Sequence, residues 1–182
     1  MKNPEVDFMA GVFDFIVEFT EIDENVVFRG FQSQMVLPDD DEFCIFTPIN
    51  RSRIGTNKRN FNADGVPDDE NGIEAETQGV AIDVQIDFYG ENADRMAQAI
   101  DTAAHSLMAN KFFRRNGYDV RCLYSTSPQN LTGIDETNQY AIRWSVTATF
   151  LIESAISEDL PWFEDITLAN IKNVDVYFSP ND

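Results

Sequence analysis

Near the start of the chain, apolar positions crowd out all but one narrow polar line. Asp7, Gly11, Asp14 and Glu18 recur at intervals of four, three and four, which is the rhythm of one helical face, so residues 5–20 are predicted to form a helix. Phe8, Met9, Val12, Phe13, Phe15, Ile16, Val17 and Phe19 fill the rest. That stripe is too wide for an ordinary surface helix. Either the helix is central in its own domain, or a second subunit covers it, with Phe8, Val12, Phe15 and Phe19 as the interface.

Period-two patterning marks the strands. Residues 80–88 are the clearest: Val80, Ile82, Val84, Ile86 and Phe88 alternate with Ala81, Asp83, Gln85 and Asp87. Residues 139–153 put Ile142, Trp144, Val146, Ala148, Phe150 and Ile152 on one face, with Arg143, Ser145, Thr147 and Thr149 on the other. Shorter strands are expected at 26–31, at 43–49 (Phe43, Ile45 and Ile49 on one side), at 119–125 and at 171–178. Between 80–88 and 119–125, Asn92 is placed to cap a second helix running to about Asn110. Its buried stripe is Met96, Ile100, Ala103, Ala104 and Leu107, and Asp94, Gln98, Asp101 and His105 oppose it. Residues 50–79 are polar, punctuated by Gly65, Pro67, Gly72 and Gly79, and read as one long loop.

The order helix, strands, helix, strands lacks the regular alternation of a parallel βαβ sheet. It predicts an α+β fold, a mainly antiparallel sheet with two helices on one face, and a single domain over residues 1–182.

Charge changes the picture more than size does. Thirty-two acidic residues stand against thirteen basic ones, a formal net charge of −19. A protein that grips duplex needs lysine and arginine to displace counterions; this chain is repelled by nucleic acid at long range. The acidity serves solubility or reflects a host with acidic proteins, or else it lets DNA pass nearby without sticking. The exception is Arg51, Arg53, Lys58 and Arg59. They are expected to form internal salt bridges or to dock an acidic neighbour, with contact to DNA as the least favoured reading. Asp83, Gln85 and Asp87 share the non-core face of their strand, which faces either outer solvent or the lumen of an assembly.

Catalytic chemistry is hard to assemble from this sequence. No phosphate-cradling glycine loop or serine nucleophile elbow occurs, and any Ser/His/Asp or Cys/His set would need the single histidine, His105. Cys44 and Cys122 are expected to be buried thiols. Residues 60–71 echo a calcium loop at Asn62, Asp64 and Gly65, but Asn60 and Asn71 replace its first and last carboxylates. Asp39, Asp40, Asp41 and Glu42 read as a solvated turn. No metal, cofactor or enzymatic activity is expected. No apolar run is long enough for a membrane helix, and the polar residues 1–7 do not resemble a signal peptide.

Four segments in succession carry a resemblance: Phe43-Cys-Ile-Phe-Thr-Pro-Ile-Asn-Arg-Ser-Arg-Ile-Gly-Thr-Asn57, Val84-Gln-Ile-Asp-Phe-Tyr-Gly-Glu-Asn-Ala-Asp-Arg95, Leu123-Tyr-Ser-Thr-Ser-Pro128 and Gln139-Tyr-Ala-Ile-Arg-Trp-Ser-Val-Thr-Ala-Thr149. Together, over about 40–150, they resemble phage neck and tail terminator proteins, with residues 160–182 as a less familiar extension. The resemblance implies a structural virion protein without cofactor, assembled in the bacterial host cytoplasm. It would form a ring, six copies in number, that ends tail-tube and sheath growth, joins the tail to the head connector and lets DNA pass unbound. The alternative is a tail-tube or head-completion subunit that polymerises or docks without acting as terminator.

Overall fold

The computed structural model describes residues 4–31, 42–62, 72–134 and 140–160. Among these residues, helix α1 (Pro4–Thr20) leads through a short 3-10 turn into β1 (Val27–Arg29), β2 (Phe43–Arg53), β3 (Lys58–Asn62) and β4 (Gly72–Tyr89). Helices α2 (Ala93–Ala104) and α3 (Leu107–Arg115) follow. The chain then forms β5 (Val120–Ser125), β6 (Gln129–Asn130), β7 (Gly133–Ile134), β8 (Tyr140–Ala141) and β9 (Arg143–Leu160). The sheet runs β1-β2-β4-β9-β5, with β3 beside β4, β6 beside β9, and β7 and β8 as a separate pair. It is mixed, because β1 pairs in parallel with β2, while β2, β3, β5 and β6 make antiparallel ladders with β4 or β9.

The fold is α+β, as the patterning predicts, with three helices where two were expected. Residues 92–110 break because Ser106 adopts an extended conformation and its side chain caps α3 by accepting from the Met108 amide at 3.1 Å. The restart turns the helix, so Leu107 is exposed and Ala109, Phe112 and Phe113 are buried instead. Asn92 does sit at the start of α2, but its side chain makes no capping bond. Both its amides donate to Glu42 Oε1, at 3.1 and 2.6 Å, placing a carboxylate at the positive end of the helix.

β4 and β9 form the spine, paired from Tyr89↔Arg143 to Gly72↔Leu160. Their core face carries Ile82, Val84, Ile86 and Phe88 against Val146, Ala148, Phe150 and Ile152, all buried, as predicted. Of the other two residues expected on that face, Trp144 is half-buried and Ile142, ahead of β9, is exposed. In β2 the buried side chains are Cys44 and Phe46; Phe43 and Ile45 take the other face, and a register shift between Pro48 and Asn50 leaves Ile49 exposed.

All three helices pack on the core face. α1 reaches it through Phe8 and Phe15 against Phe150, and Phe13 against Phe46. Phe15 also meets Phe19, Phe112 and Phe113, with centroids 4.9–6.0 Å apart. The wide apolar stripe is therefore covered within the chain by the sheet, α2 and α3. Phe8 is 1% exposed, and Val12 and Phe15 are fully buried, which corrects the subunit-interface assignment for these three; Phe19 is half-buried. A Cβ at Gly11 would meet the Tyr118 ring at 3.1 Å, so the ring would have to give slightly. A Cβ at Gly30 would fall 2.0 Å from Thr47 Oγ1, so the Thr47 side chain would have to move.

The stretch expected to be a long loop is largely strand. β2 continues through Arg53, β3 covers residues 58–62, and β4 begins at Gly72. β2 stops opposite Val80 and β5 stops opposite Ile152, but β4 and β9 continue for eight more pairs, with β3 alongside. The result is a three-stranded arm, roughly 26 Å long at strand rise. The residues expected at 171–178, the acids Asp39, Asp40 and Asp41, and most of the calcium-like loop, including Asp64, Gly65 and Asn71, lie outside the described residues.

Candidate functional site

The polar face of the spine is the first candidate, and period two brings its residues together. Asp83 lies across from Thr149, Asp87 from Ser145, and Tyr89 from Arg143. Each carboxylate is answered within the sheet. Asp83 accepts from Thr149 Oγ1 at 2.7 Å and from Asn50 Nδ2 at 2.9 Å. Asp87 is only 5% exposed; it accepts from Gln85 Nε2 at 2.9 and 3.1 Å and forms an ion pair with Arg143 at 3.1 Å. Arg143 also lies over the Tyr89 ring, 5.7 Å from its centroid, and Tyr89 stacks on Phe43. Burial raises the Tyr89 pKa, with the Arg143 charge acting the other way. Asp83, Gln85 and Asp87 thus share one face, as the sequence predicts, but Asp87 is held too tightly to act as a free charge.

The second candidate is the arm and its root. Arg51, Arg53, Lys58 and Arg59 are all exposed. They sit on β2 and β3 instead of a loop, with Arg53 opposite Val80 and Arg59 opposite Glu76. Glu76 ties several of them together. It accepts from Asn57 Nδ2 at 2.9 Å and pairs with Arg59 at 3.2 Å, and Asn57 in turn accepts from Arg53. Those hydrogen bonds, from Asn57 first and then Arg59, hold the Glu76 carboxyl below its usual pKa. Part of the cluster is therefore compensated inside the chain.

A Ser/His/Asp group does exist, and its geometry argues against catalysis. Ser125 Oγ donates to Asp101 Oδ1 at 2.7 Å and lies 3.3 Å from His105 Nδ1. The same Nδ1 is 3.3 Å from Asp101 Oδ1 and 2.9 Å from the Asp101 carbonyl. A relay needs the acid on one ring nitrogen and the nucleophile on the other. Here both crowd one nitrogen, and the serine proton is committed to the carboxylate. Burial raises the pKa of both cysteines, Cys122 to about 12, with the Asp87 charge adding to the effect at Cys44. Both thiols are thus suited to the core and not to nucleophilic work. No described helix is long and apolar enough to cross a membrane.

Sequence reasoning missed a third feature. Lys111 and Arg114 on α3 and Arg121 on β5 line one groove of about 860 Å³, together with Leu107, Val120 and Leu123. The signal was available as Lys111, Arg114, Arg115 and Arg121 within eleven residues, with Asp119 as the one acid among them.

No curated protein matches the chain. A family described as phage neck terminator protein matches residues 7–179. The match reaches past the 40–150 span of the resemblance on both sides and takes in most of residues 160–182. The family is structural, and a neck protein belongs to the virion. With nearly its whole length matched, this chain is a member of the phage neck terminator protein family.

Proposed function

We propose that the chain is one subunit of a closed, six-membered ring at the top of the tail. The ring ends tube and sheath growth, joins the tail to the head connector, and lets DNA through its lumen. One observation carries this reading: all three helices lie on one side of the sheet, and the other side is a polar strip whose charges are answered internally. A DNA conduit needs a polar wall that does not bind phosphate, and on this face Asp83, Gln85, Arg143 and Thr147 are the half-buried groups while Asp87, Ser145 and Thr149 are buried beneath them. Asp83 and Asp87 outnumber Arg143, which is already committed to Asp87. The net charge of −19 per subunit adds repulsion. At the root of the arm, Arg51, Arg53 and Lys58 face solvent and suit docking to acidic tube, sheath or connector surfaces, with Arg59 steadied by Glu76.

Asp83→Lys with Gln85→Lys tests the lumen while leaving the Asp87–Arg143 pair intact. Assembled rings should gain salt-sensitive DNA affinity and slow ejection. Rings that form and neither bind nor delay DNA would remove this face from the channel. Arg51→Glu with Arg53→Glu should leave the subunit folded but impair joining of heads and tails; normal yields of full-tailed infectious particles would rule out that docking role.

A further inference from the structure

We propose that the groove between α3 and β5 receives the C-terminal segment, residues 161–182, of a second copy of the chain. This rests on the ring reading above, because it supplies a repeating contact between neighbours.

The groove is cationic and apolar in a strongly acidic chain. Leu107 is 75% and Leu123 41% exposed, and Lys111, Arg114 and Arg121 are exposed around them. Arg115, next along α3, pairs with Glu18 at 3.1 Å. The three groove cations have no ion-pair partner among the described residues. Unpaired cations beside exposed leucines fit a ligand that is both anionic and apolar.

β5 is the outer strand of the sheet here, yet its edge is closed against simple strand addition. Asn110 Nδ2 donates to the Cys122 carbonyl and Asn110 Oδ1 accepts from the Cys122 amide, each at 3.0 Å. An occupant therefore binds through side chains lying in the groove.

The chain itself contains a segment of the required chemistry. Residues 161–182 carry Glu164, Asp165, Asp175 and Asp182 against Lys172, together with Trp162, Phe163, Val174, Val176 and Phe178. Their point of departure favours a neighbour. β9 is paired through Leu160↔Gly72, so the last described residue, Leu160, lies at the tip of the arm, eight residues beyond the Val120↔Ile152 pair that ends β5. Strand rise puts that residue roughly 26 Å from the groove end of β9. Docking in its own groove would require the segment to turn back along the whole arm.

Cysteine cross-linking between two differently tagged full-length chains tests this. One carries Leu123→Cys in the groove and the other Val176→Cys in the segment; native Cys44 and Cys122 are buried and stay silent. Mixed chains should give a cross-linked heterodimer under mild oxidation. Arg114→Glu with Arg121→Glu in the groove chain should lower its yield about tenfold, and raised salt should lower the wild-type yield. Absence of the heterodimer in samples that show rings would overturn the proposal. So would a chain carrying both cysteines that links only within itself. A heterodimer without closed rings would support this contact and count against the ring.

Discussion

β4 and β9 share one continuous register, yet their two halves occupy different environments. In the inner half, residues 80–88 and 144–152, one face is sealed by α1, α2 and α3, and the side chains alternate between core and polar strip. In the outer half, residues 75–79 and 153–156 contribute nothing to the hydrophobic core, and Ile156 is 69% exposed. The ladder pattern is the same, so the difference lies in what covers it. The inner half holds the core, and the described side chains of the outer half lie outside it. A three-stranded ribbon that adds no described side chain to the core is weak by itself; its strands are held by their pairing and by anchors such as Glu76 with Arg59 and Asn57.

Substitutions should divide along that line. Phe150→Ala empties the site where Phe8, Phe15 and Phe113 converge and should cost about 3–5 kcal/mol in denaturant unfolding. A cost below about 1 kcal/mol would mean the inner half is not the core. Arg143→Ala leaves the buried Asp87 carboxylate with Gln85 as its remaining side-chain partner among the described residues and should cost about 1–3 kcal/mol. Arg143→Lys should recover only part of that, because a lysine cannot reproduce the planar contact over Tyr89. Ile156→Ala on the arm should change stability by no more than about 0.5 kcal/mol. A loss comparable to that of Phe150→Ala would erase the distinction between the halves.

The mildest probe is pH. Glu76 has a depressed pKa, so its contribution is fully present above the usual carboxylate range and is lost as pH falls through the depressed value. Amide exchange in β3, corrected for intrinsic rates, should quicken in that acid window while the amides of residues 80–88 stay protected. Glu76→Gln should produce the faster β3 exchange already at neutral pH. Equal protection of both regions at every pH would show that the arm does not open independently.

The same contrast explains what the sequence could reveal. Residues 80–88 were legible because burial of one face imposes period two. Residues 58–79 were read as loop because none of the described side chains there joins the core, so no periodic apolar signal marks them; the pairing of β4 with β3 and β9 keeps the described strands extended. The grouping of Asp83, Gln85, Asp87 and Arg143 on one face follows from alternation, but the choice of Asp87 as partner depends on register. The width of the apolar stripe on α1 was visible, whereas what covers Phe8, Val12 and Phe15 depends on how the sheet and the other two helices pack. The cations at 111–121 were in plain sight, but only the packing of α3 on β5 joins Arg121 to Lys111 and Arg114.

The core folds within one subunit, and on the reading proposed above the arm and the polar sheet face serve a closed assembly. Negative-stain imaging of the purified full chain across a concentration series tests it most directly. A head-to-tail contact either closes on itself or propagates. The account predicts closed rings of six with a central hole, unchanged in diameter as concentration rises; open-ended stacks, or single subunits at every concentration, would contradict it.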